Sequence, residues 1–445
     1  MKRSGANSIA ETVETQVVIA GAGGAGLAAA LAAAERGAGA VVLEKRRVAG
    51  GNSALAGGLF AAESPAQKRL KIDAPRDELF RKAMEFAHWR IDPAIVRAFI
   101  DRSGDTIQWL EEMGLKFDVN PLYYHQVPLV LHRPQEKGAG IIKVLTEKCL
   151  KLGVRIFYET AAERIITHDK VTGLLAKGKG TEIRINARSV IITTGGYAGN
   201  KKLLRKYCTP YSDNMDCRGV PHSGDGILMA IDAGAATDGL GMLHLVGPCF
   251  PGASEVRVVA EAPDTIWVNK RGERFTDEGT AVNQFECVNA ILRQPECLSY
   301  TLFDRGTIEN TENAASDWRP FGFYRAGTSP ADRAWWATEG VREADYTRLD
   351  QQLRLDAEKG LVGIFDSWDE LAKWIGASPE ILKKTIDGYN ASCARGYDEI
   401  FNKKPQYLVD LHNPPFYAAR CSPRLLCTIG GIKINRRMEV LDNRS

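Results

Sequence analysis

The chain has 445 residues, 44% of them hydrophobic, with 58 Lys and Arg against 55 Asp and Glu, for a formal net charge of +3. So even a balance, with no basic stripe, excludes nucleic-acid binding through a broad electrostatic footprint, and the length suggests two or three domains. No run of 18 apolar residues occurs, so no direct membrane span is expected; the 9 cysteines show no CxxC pair or metal-ligand spacing, so free thiols and no metal site are expected.

Residues 1–15 are polar, lack an apolar signal core and read as a disordered lead, which makes a cytoplasmic location the expectation. Residues 17–20 read as a buried strand running into GAGGAG at 21–26, an alanine-rich helix, a second strand at 40–43 and then Glu44. This order has a mechanism. Gly21 permits a tight turn, Gly23 lets backbone approach a pyrophosphate, and Gly26 lets helix pack on strand. The pyrophosphate would meet the positive end of the helix. Glu44, about 20 residues further on, stands where a carboxylate accepts ribose hydroxyls. Together these predict a dinucleotide site.

Two amphipathic helices follow at 76–90 and 93–113, with Phe80, Met84 and Ala87, then Ile95, Phe99, Ile107 and Leu110, at helical spacing. A Pro-, Tyr- and His-rich loop covers 120–134, and another helix 141–152. Short β-rich runs at 154–158, 162–168, 171–176 and 181–186 predict an antiparallel meander. A buried strand at 189–194 ends in Gly195-Gly196, a second place where backbone could press on a cofactor. After about residue 240 the strands shorten, and helices are expected at 367–374 and 379–393, with returning strands at 416–418 and 430–435. The late region reads as a cap inserted into the nucleotide domain.

At this point five motifs resemble the fumarate reductase/succinate dehydrogenase flavoprotein family. GGNSALAGG at 50–58 is similar to its flavin loop, TGGYAGN at 194–200 to its second glycine motif and GDG at 224–226 to its GDG motif. VNKRGERF at 268–275 is similar to its VNxxGxRF segment, and TIGG at 428–431 to its TxGG return. The resemblance implies an α/β fold: a Rossmann-like FAD-binding domain with a small antiparallel β-meander, residues 1–241 and 421–445, and an inserted α+β capping domain, residues 242–420. It implies FAD rather than NAD, which agrees with the extra glycine loops. The expected flavin contacts are Gly21, Ala22, Gly23, Gly26, Glu44, Lys45, Gly51, Asn52, Ser53, Gly57, Gly58, Ala162, Thr194, Gly195 and Asp225. Succinate dehydrogenases attach FAD through a His of the first flavin loop; here that loop offers Asn52 and Ser53, so noncovalent FAD is expected.

The chemistry departs from the family. Val282 stands where the resemblance leads one to expect the proton-donating Arg, and Cys427 where it leads one to expect His before TxGG. Valine has no proton to donate, so standard fumarate or succinate chemistry is not expected. The run 274–285 resembles the RFxDEGxxxxN pattern of the tricarballylate dehydrogenase branch, which implies a small carboxylate substrate and a separate electron-acceptor protein. His244, Glu261, Glu278 and Arg420 are the candidate catalytic residues: His244 for substrate binding, the glutamates for proton relay, Arg420 as a carboxylate clamp. Arg257 and Arg424 are rival clamps, and His125, His132 and Arg133 could rim the pocket. Each glutamate has a bland reading as a salt-bridge partner, and His244 one as a satisfied buried histidine.

The resemblance also leads one to expect a further segment after residue 445, with a GLYAAGE-like strand and a closing helix. Three readings of its absence here stand side by side: a shortened chain, which is favoured, a second chain that supplies the segment as a partner, and a degenerate homologue. Three functions stay open: an FAD-dependent oxidoreductase acting on a CH–CH bond of a small carboxylate, a ketosteroid-type flavin dehydrogenase using one of Tyr123, Tyr124, Tyr197 or Tyr389, and an inactive flavin-binding subunit.

Overall fold

The computed structural model describes residues 9–120, 128–217, 219–220, 222–252, 254–282, 284–313 and 349–443. The chain divides into two compact units. The first comprises Met1–Cys208, Gly219–Leu243 and Cys427–Ser445; the second comprises Thr209–Arg218 and His244–Leu426.

The first unit is built on a six-stranded sheet. Its strands are β1 (Ile9–Ala20), β2 (Ala40–Leu43), β3 (Arg155–Phe157), β4 (Thr160–Thr167), β5 (Val171–Gly178) and β6 (Thr181–Ile192), in the order β3-β2-β1-β6-β5-β4. Strands β3, β2, β1 and β6 pair in parallel, while β6, β5 and β4 pair antiparallel. Val18 and Ile19 point to opposite faces, as period-2 geometry requires. Val18 joins Val41, Leu174 and Ile185 in one core, and Ile19 joins Leu27, Leu31, Val42 and Leu145 in the other. The second of these cores holds α1 (Gly24–Glu35) on the sheet. The helices α2 (Gly51–Leu55), α3 (Arg76–Phe86), α4 (Pro93–Glu112), α5 (Lys137–Lys151) and α6 (Asp225–Asp232) complete the elements used below.

Two expectations are corrected. Residues 9–15 are not a disordered lead: they form the first half of β1, with Val13 beside Ile185 and Thr15 beside Ala187. The two strands expected at 181–186 and 189–194 are one strand, because Ala187 and Arg188 carry no turn-forming residue. β6 thus serves the antiparallel meander on one edge and the parallel nucleotide sheet on the other.

The second unit has its own sheet, formed by β7 (Leu243–Cys249), β8 (Ile266–Val268), β9 (Ser299–Asp304), β10 (Val362–Phe365) and β11 (Phe416–Thr428). β9 pairs antiparallel with both β8 and β11, and β10 with β11. Alternate residues feed two cores. Phe303, Tyr417, Ala419 and Cys421 pack with Val256 and with Leu353 of α7 (Leu349–Glu358). Leu302, Tyr300, Phe416 and Ala418 pack under α8 (Trp368–Ile375) and α9 (Pro379–Arg395), through Leu371, Leu382 and Ile386. Residues 209–218 and 421–426, expected with the nucleotide domain, cluster with this unit instead. The reason is that Asp216 and Cys217 pair in parallel with Arg424 and Leu425 of β11, and Arg424 Nε donates to Asp216 Oδ2 at 3.1 Å.

Candidate active site

In the first unit the glycine loop is built around the end of β6. Gly21 has φ +107, and a Cβ there would lie 2.7 Å from the Thr193 carbonyl oxygen. A Cβ at Gly26 would stand against the Gly21 carbonyl and 2.7 Å from Thr193 Oγ1. Both positions therefore require glycine, and the first turn of α1 lies close on the strand ends. Gly23 is the N-cap of α1 and brings no side chain to cap it, so the first amides of a 12-residue helix look to a ligand or to water. A pyrophosphate fits that donor set.

Around this loop most of the expected contacts converge. Ala22 N donates to Glu44 Oε2 at 3.0 Å, and Arg46 N to Glu44 Oε1 at 2.9 Å, which fixes the carboxylate at the end of β2 and leaves it further lone pairs for ribose hydroxyls. Gly50 N donates to Ala22 O at 2.9 Å, tying the 50–58 loop to the 21–26 glycine turn. Gly51, φ +53, opens α2; Ser53 Oγ stands beside Gly24, and Asn52 Oδ1 accepts from Val220 N at 2.7 Å. Thr194 Oγ1 accepts from Gly226 N at 3.1 Å, seating the start of α6 on the second glycine motif. Lys45 Nζ donates to Ser223 Oγ at 2.7 Å and to Asp225 Oδ2 at 2.8 Å. Burial acts to raise the Asp225 carboxyl, but its bonds from Lys45 and Ser223 outweigh that and hold it below the usual carboxylate range. Gly58 backs onto the His132 carbonyl, whereas Gly57 faces open space. Ala162 lies further along the sheet on β4, opposite Ala176.

One side chain in this cradle carried no sequence signal. The His222 ring lies against Gly195 (φ +76), where a Cβ would be 3.0 Å from the imidazole, and a Cβ on Gly51 would be 3.8 Å from His222 Nε2. Its place two residues before the GDG motif was the only available hint.

In the second unit the candidate catalytic residues fall into separate environments. Glu261 is 1% exposed; Arg257 Nε donates to its Oε1 at 2.9 Å, Arg257 Nη2 to its Oε2 at 3.2 Å, and Phe250 N to Oε1 at 3.0 Å. Glu278 is 0% exposed. Arg274 Nε and Nη2 donate to its two oxygens at 2.8 and 2.7 Å, Trp267 N donates at 3.1 Å, and Lys403 Nζ lies at 3.3 Å. Burial alone would raise the Glu278 carboxyl; the Lys403 ammonium and the Arg274 guanidinium overcome it and hold the group below its ordinary value. Asp398 closes this cluster at 2.8 Å from Arg274 Nη2. These geometries match the bland reading of both glutamates. Arg257 and Arg424 are likewise engaged, the latter with Asp216 and with the Phe250 carbonyl.

His244 sits on β7, half-buried, and burial lowers its pKa, which favours the uncharged ring. Arg420, half-buried on β11, lies across from Tyr300 of β9. His132 is fully buried in the first unit, bonded to Ser64 Oγ at 2.6 Å and to the Val130 carbonyl at 3.0 Å. His125, Tyr123, Tyr124 and the Val282 side chain lie outside the described residues. The Tyr197 hydroxyl donates to the Leu240 carbonyl, and that of Tyr389 accepts from Lys403 Nζ at 3.2 Å. Among the described residues no cluster of His, Cys, Asp and Glu could hold a metal, and no helix is long and apolar enough to cross a membrane.

Comparison with known proteins agrees with the cradle. The family described as FAD binding domain matches residues 16–445. The vinyl phenol reductase of Lactiplantibacillus plantarum is 30% identical over 451 residues, covering 96% of this chain and 86% of that protein. The probable fumarate reductase Ifc3 of Shewanella frigidimarina is 27% identical, covering 97% of this chain and 68% of its own length. Among solved structures, the open conformation of a flavocytochrome c3 fumarate reductase superposes with a TM-score of 0.71 at 27% identity, over 98% of this chain and 71% of that one. The 3-ketosteroid delta1-dehydrogenase of Sterolibacterium denitrificans shares the fold, with a TM-score of 0.73 at 18% identity over 97% and 91% of the two chains. The glycine cradle and these matches lead to one conclusion: the chain belongs to the FAD binding domain family of fumarate reductase/succinate dehydrogenase flavoproteins, and is an FAD-dependent oxidoreductase acting on CH–CH bonds.

Proposed function

We propose that the chain binds FAD noncovalently and reduces, or in reverse forms, a conjugated carbon–carbon double bond in a small acid or a similarly activated alkene. The observation that carries this reading is likeness along nearly the whole chain to relatives named for such reductions, vinyl phenol reductase and fumarate reductase among them. Bound FAD supplies the hydride exchange; the side chains would bind, orient and move the proton. The first unit would hold the cofactor through Gly21 to Gly26, Glu44, residues 50–58, Thr194, Gly195 and Asp225. His244, half-buried, is the candidate proton-transfer group, because burial favours its uncharged form, the form that can accept a proton. Arg420 is the candidate carboxylate clamp, because Arg257 and Arg424 already hold carboxylates of this chain. Val282 in place of the family's Arg argues against a fumarate-type dicarboxylate.

A tricarballylate-like substrate is the finer form of this reading. Its support is the RFxDEGxxxxN stretch, and that support is weakened because Arg274 and Glu278 of the stretch are paired with each other. The ketosteroid reading loses two of its tyrosines to structural hydrogen bonds. Electrons would pass between FAD and a separate acceptor or donor protein.

Anaerobic titration tests the proposal. Dithionite-reduced holoenzyme is mixed with 4-vinylphenol, acrylate, urocanate and fumarate, and oxidised holoenzyme with tricarballylate, succinate and a 3-ketosteroid. Reoxidation by a conjugated alkene other than fumarate, or bleaching by tricarballylate, is expected. A response to the steroid alone, or to nothing, would overturn it.

A further inference from the structure

We infer that His222 is a cofactor-contacting side chain, which closes the FAD cradle from the α6 side and hydrogen-bonds a phosphate of the bound cofactor. Three observations lead there. The imidazole stands between two glycines, Gly51 and Gly195, both at positive φ and both in flavin loops, so it occupies the cleft those loops leave open. The Gly51 loop is tied to the α1 N-terminus through the Gly23–Gly50 bridge and the Gly50 N to Ala22 O bond, which places the ring on the phosphate-binding end of the cradle. The backbone around it is fixed: His222 N donates to the Val220 carbonyl at 2.8 Å and Gly199 N to the His222 carbonyl at 2.9 Å, so the ring is presented by a built turn.

The charges facing His222 come from two elements. Glu44, Lys45 and Arg46 follow β2, and Asp225 opens α6; the 193–199 loop contributes no charged side chain. Burial, then Lys45 and Arg46, lower the pKa of the free ring, against a smaller opposite effect of Glu44 and Asp225. A phosphate brought beside the ring favours the imidazolium. FAD binding then takes up a proton wherever the pH lies between the free and bound values, and affinity falls as pH rises through the bound value.

Calorimetry of FAD binding to the wild-type chain, in two buffers of different ionisation heat near pH 6.5, counts that proton. Net uptake is expected, and its absence in the wild type would overturn the inference. His222→Ala should weaken FAD binding about tenfold at pH 6, the scale of one charge-assisted hydrogen bond, with a smaller deficit at pH 8.5. His222→Gln should recover part of the pH 8.5 affinity and none of the pH dependence. The far-UV spectrum and apo-protein melting establish that the variants fold. A folded His222→Ala protein that binds FAD as tightly as the wild type, or more tightly, would equally refute the assignment, since the ring would then be a bystander or an obstruction.

Discussion

Glu278→Gln separates a structural carboxylate from a catalytic one. The wild-type side chain is 0% exposed and accepts from Arg274, from the Trp267 amide and from Lys403, whose side chain is itself 0% exposed. The amide keeps the shape and one acceptor oxygen but removes the charge, so Arg274 retains its pair with Asp398 while Lys403 keeps only the more distant attraction of Asp264 and Asp277. Removing one member of a buried, hydrogen-bonded ion pair costs about 3–5 kcal/mol. At about 2–4 °C per kcal/mol, this lowers the melting temperature of the second unit by roughly 6–20 °C. Differential scanning calorimetry of the holoenzyme reads that shift, while the visible flavin spectrum reads whether the first unit still holds FAD. Lys403→Met alone should be comparably costly, and the double variant should cost less than the sum, since contacting charges couple by about 0.5–3 kcal/mol. The pH dependence has a definite sign. Glu278 is held below its unfolded value of about 4.3, so its contribution is complete above that pH and is withdrawn as pH falls through the lower folded value. A Glu278→Gln protein with unchanged melting would refute the structural assignment, and lost turnover in the same protein would restore the proton-relay role.

Other outcomes follow from the same geometry. Gly26→Ala forces a methyl against Thr193 Oγ1 and the Gly21 carbonyl; it should cost about 1–3 kcal/mol and lower the flavin content of the purified protein, and full flavin retention would refute the close-packing account. His244→Asn should leave the flavin spectrum intact and reduce turnover roughly 100–10,000-fold. In the oxidative direction, wild-type turnover should decline only below the ordinary imidazole range, because burial lowers the His244 pKa. Unchanged turnover in the variant would remove His244 from the reaction. Acid precipitation of the holoenzyme should release all flavin to the supernatant; yellow colour retained in the pellet would contradict noncovalent binding.

The cradle was legible in the sequence because its logic is local. Gly21, Gly26 and Glu44 sit on consecutive elements, and turn chemistry with strand–helix spacing is enough to place them. What the sequence concealed has two physical causes. Residues 9–15 read as a tail because Glu11, Thr12 and Glu14 surround Val13, the one buried apolar side chain among 11–15. They form a strand because β6 offers them an edge, and a hydrogen-bonding partner so far along the chain writes no period into the sequence. The roles of Glu261 and Glu278 were open for a related reason. Their Arg partners are near, at 257 and 274, but Lys403 and Asp398 reach Glu278 and Arg274 from more than a hundred residues away. His222 was missed because a single imidazole beside GDG has no pattern; it is the missing Cβ of Gly195 that makes room for it.

The pairing of β1 with β6 has a consequence for how the chain acquires its fold. Val18 lies beside Val190, so the central strand of the nucleotide sheet has β2 close behind it in the chain, while its other edge waits for a strand that follows about 170 residues later. Closing so long a loop is entropically unfavourable before any contact repays it, which makes such sheets slow to form and exposes the waiting strand edge to other chains. The cofactor loop at Gly21 hangs on that same strand and rests on Thr193. The Gly21 turn therefore has its final seat only once β6 has docked and brought Thr193 beside it.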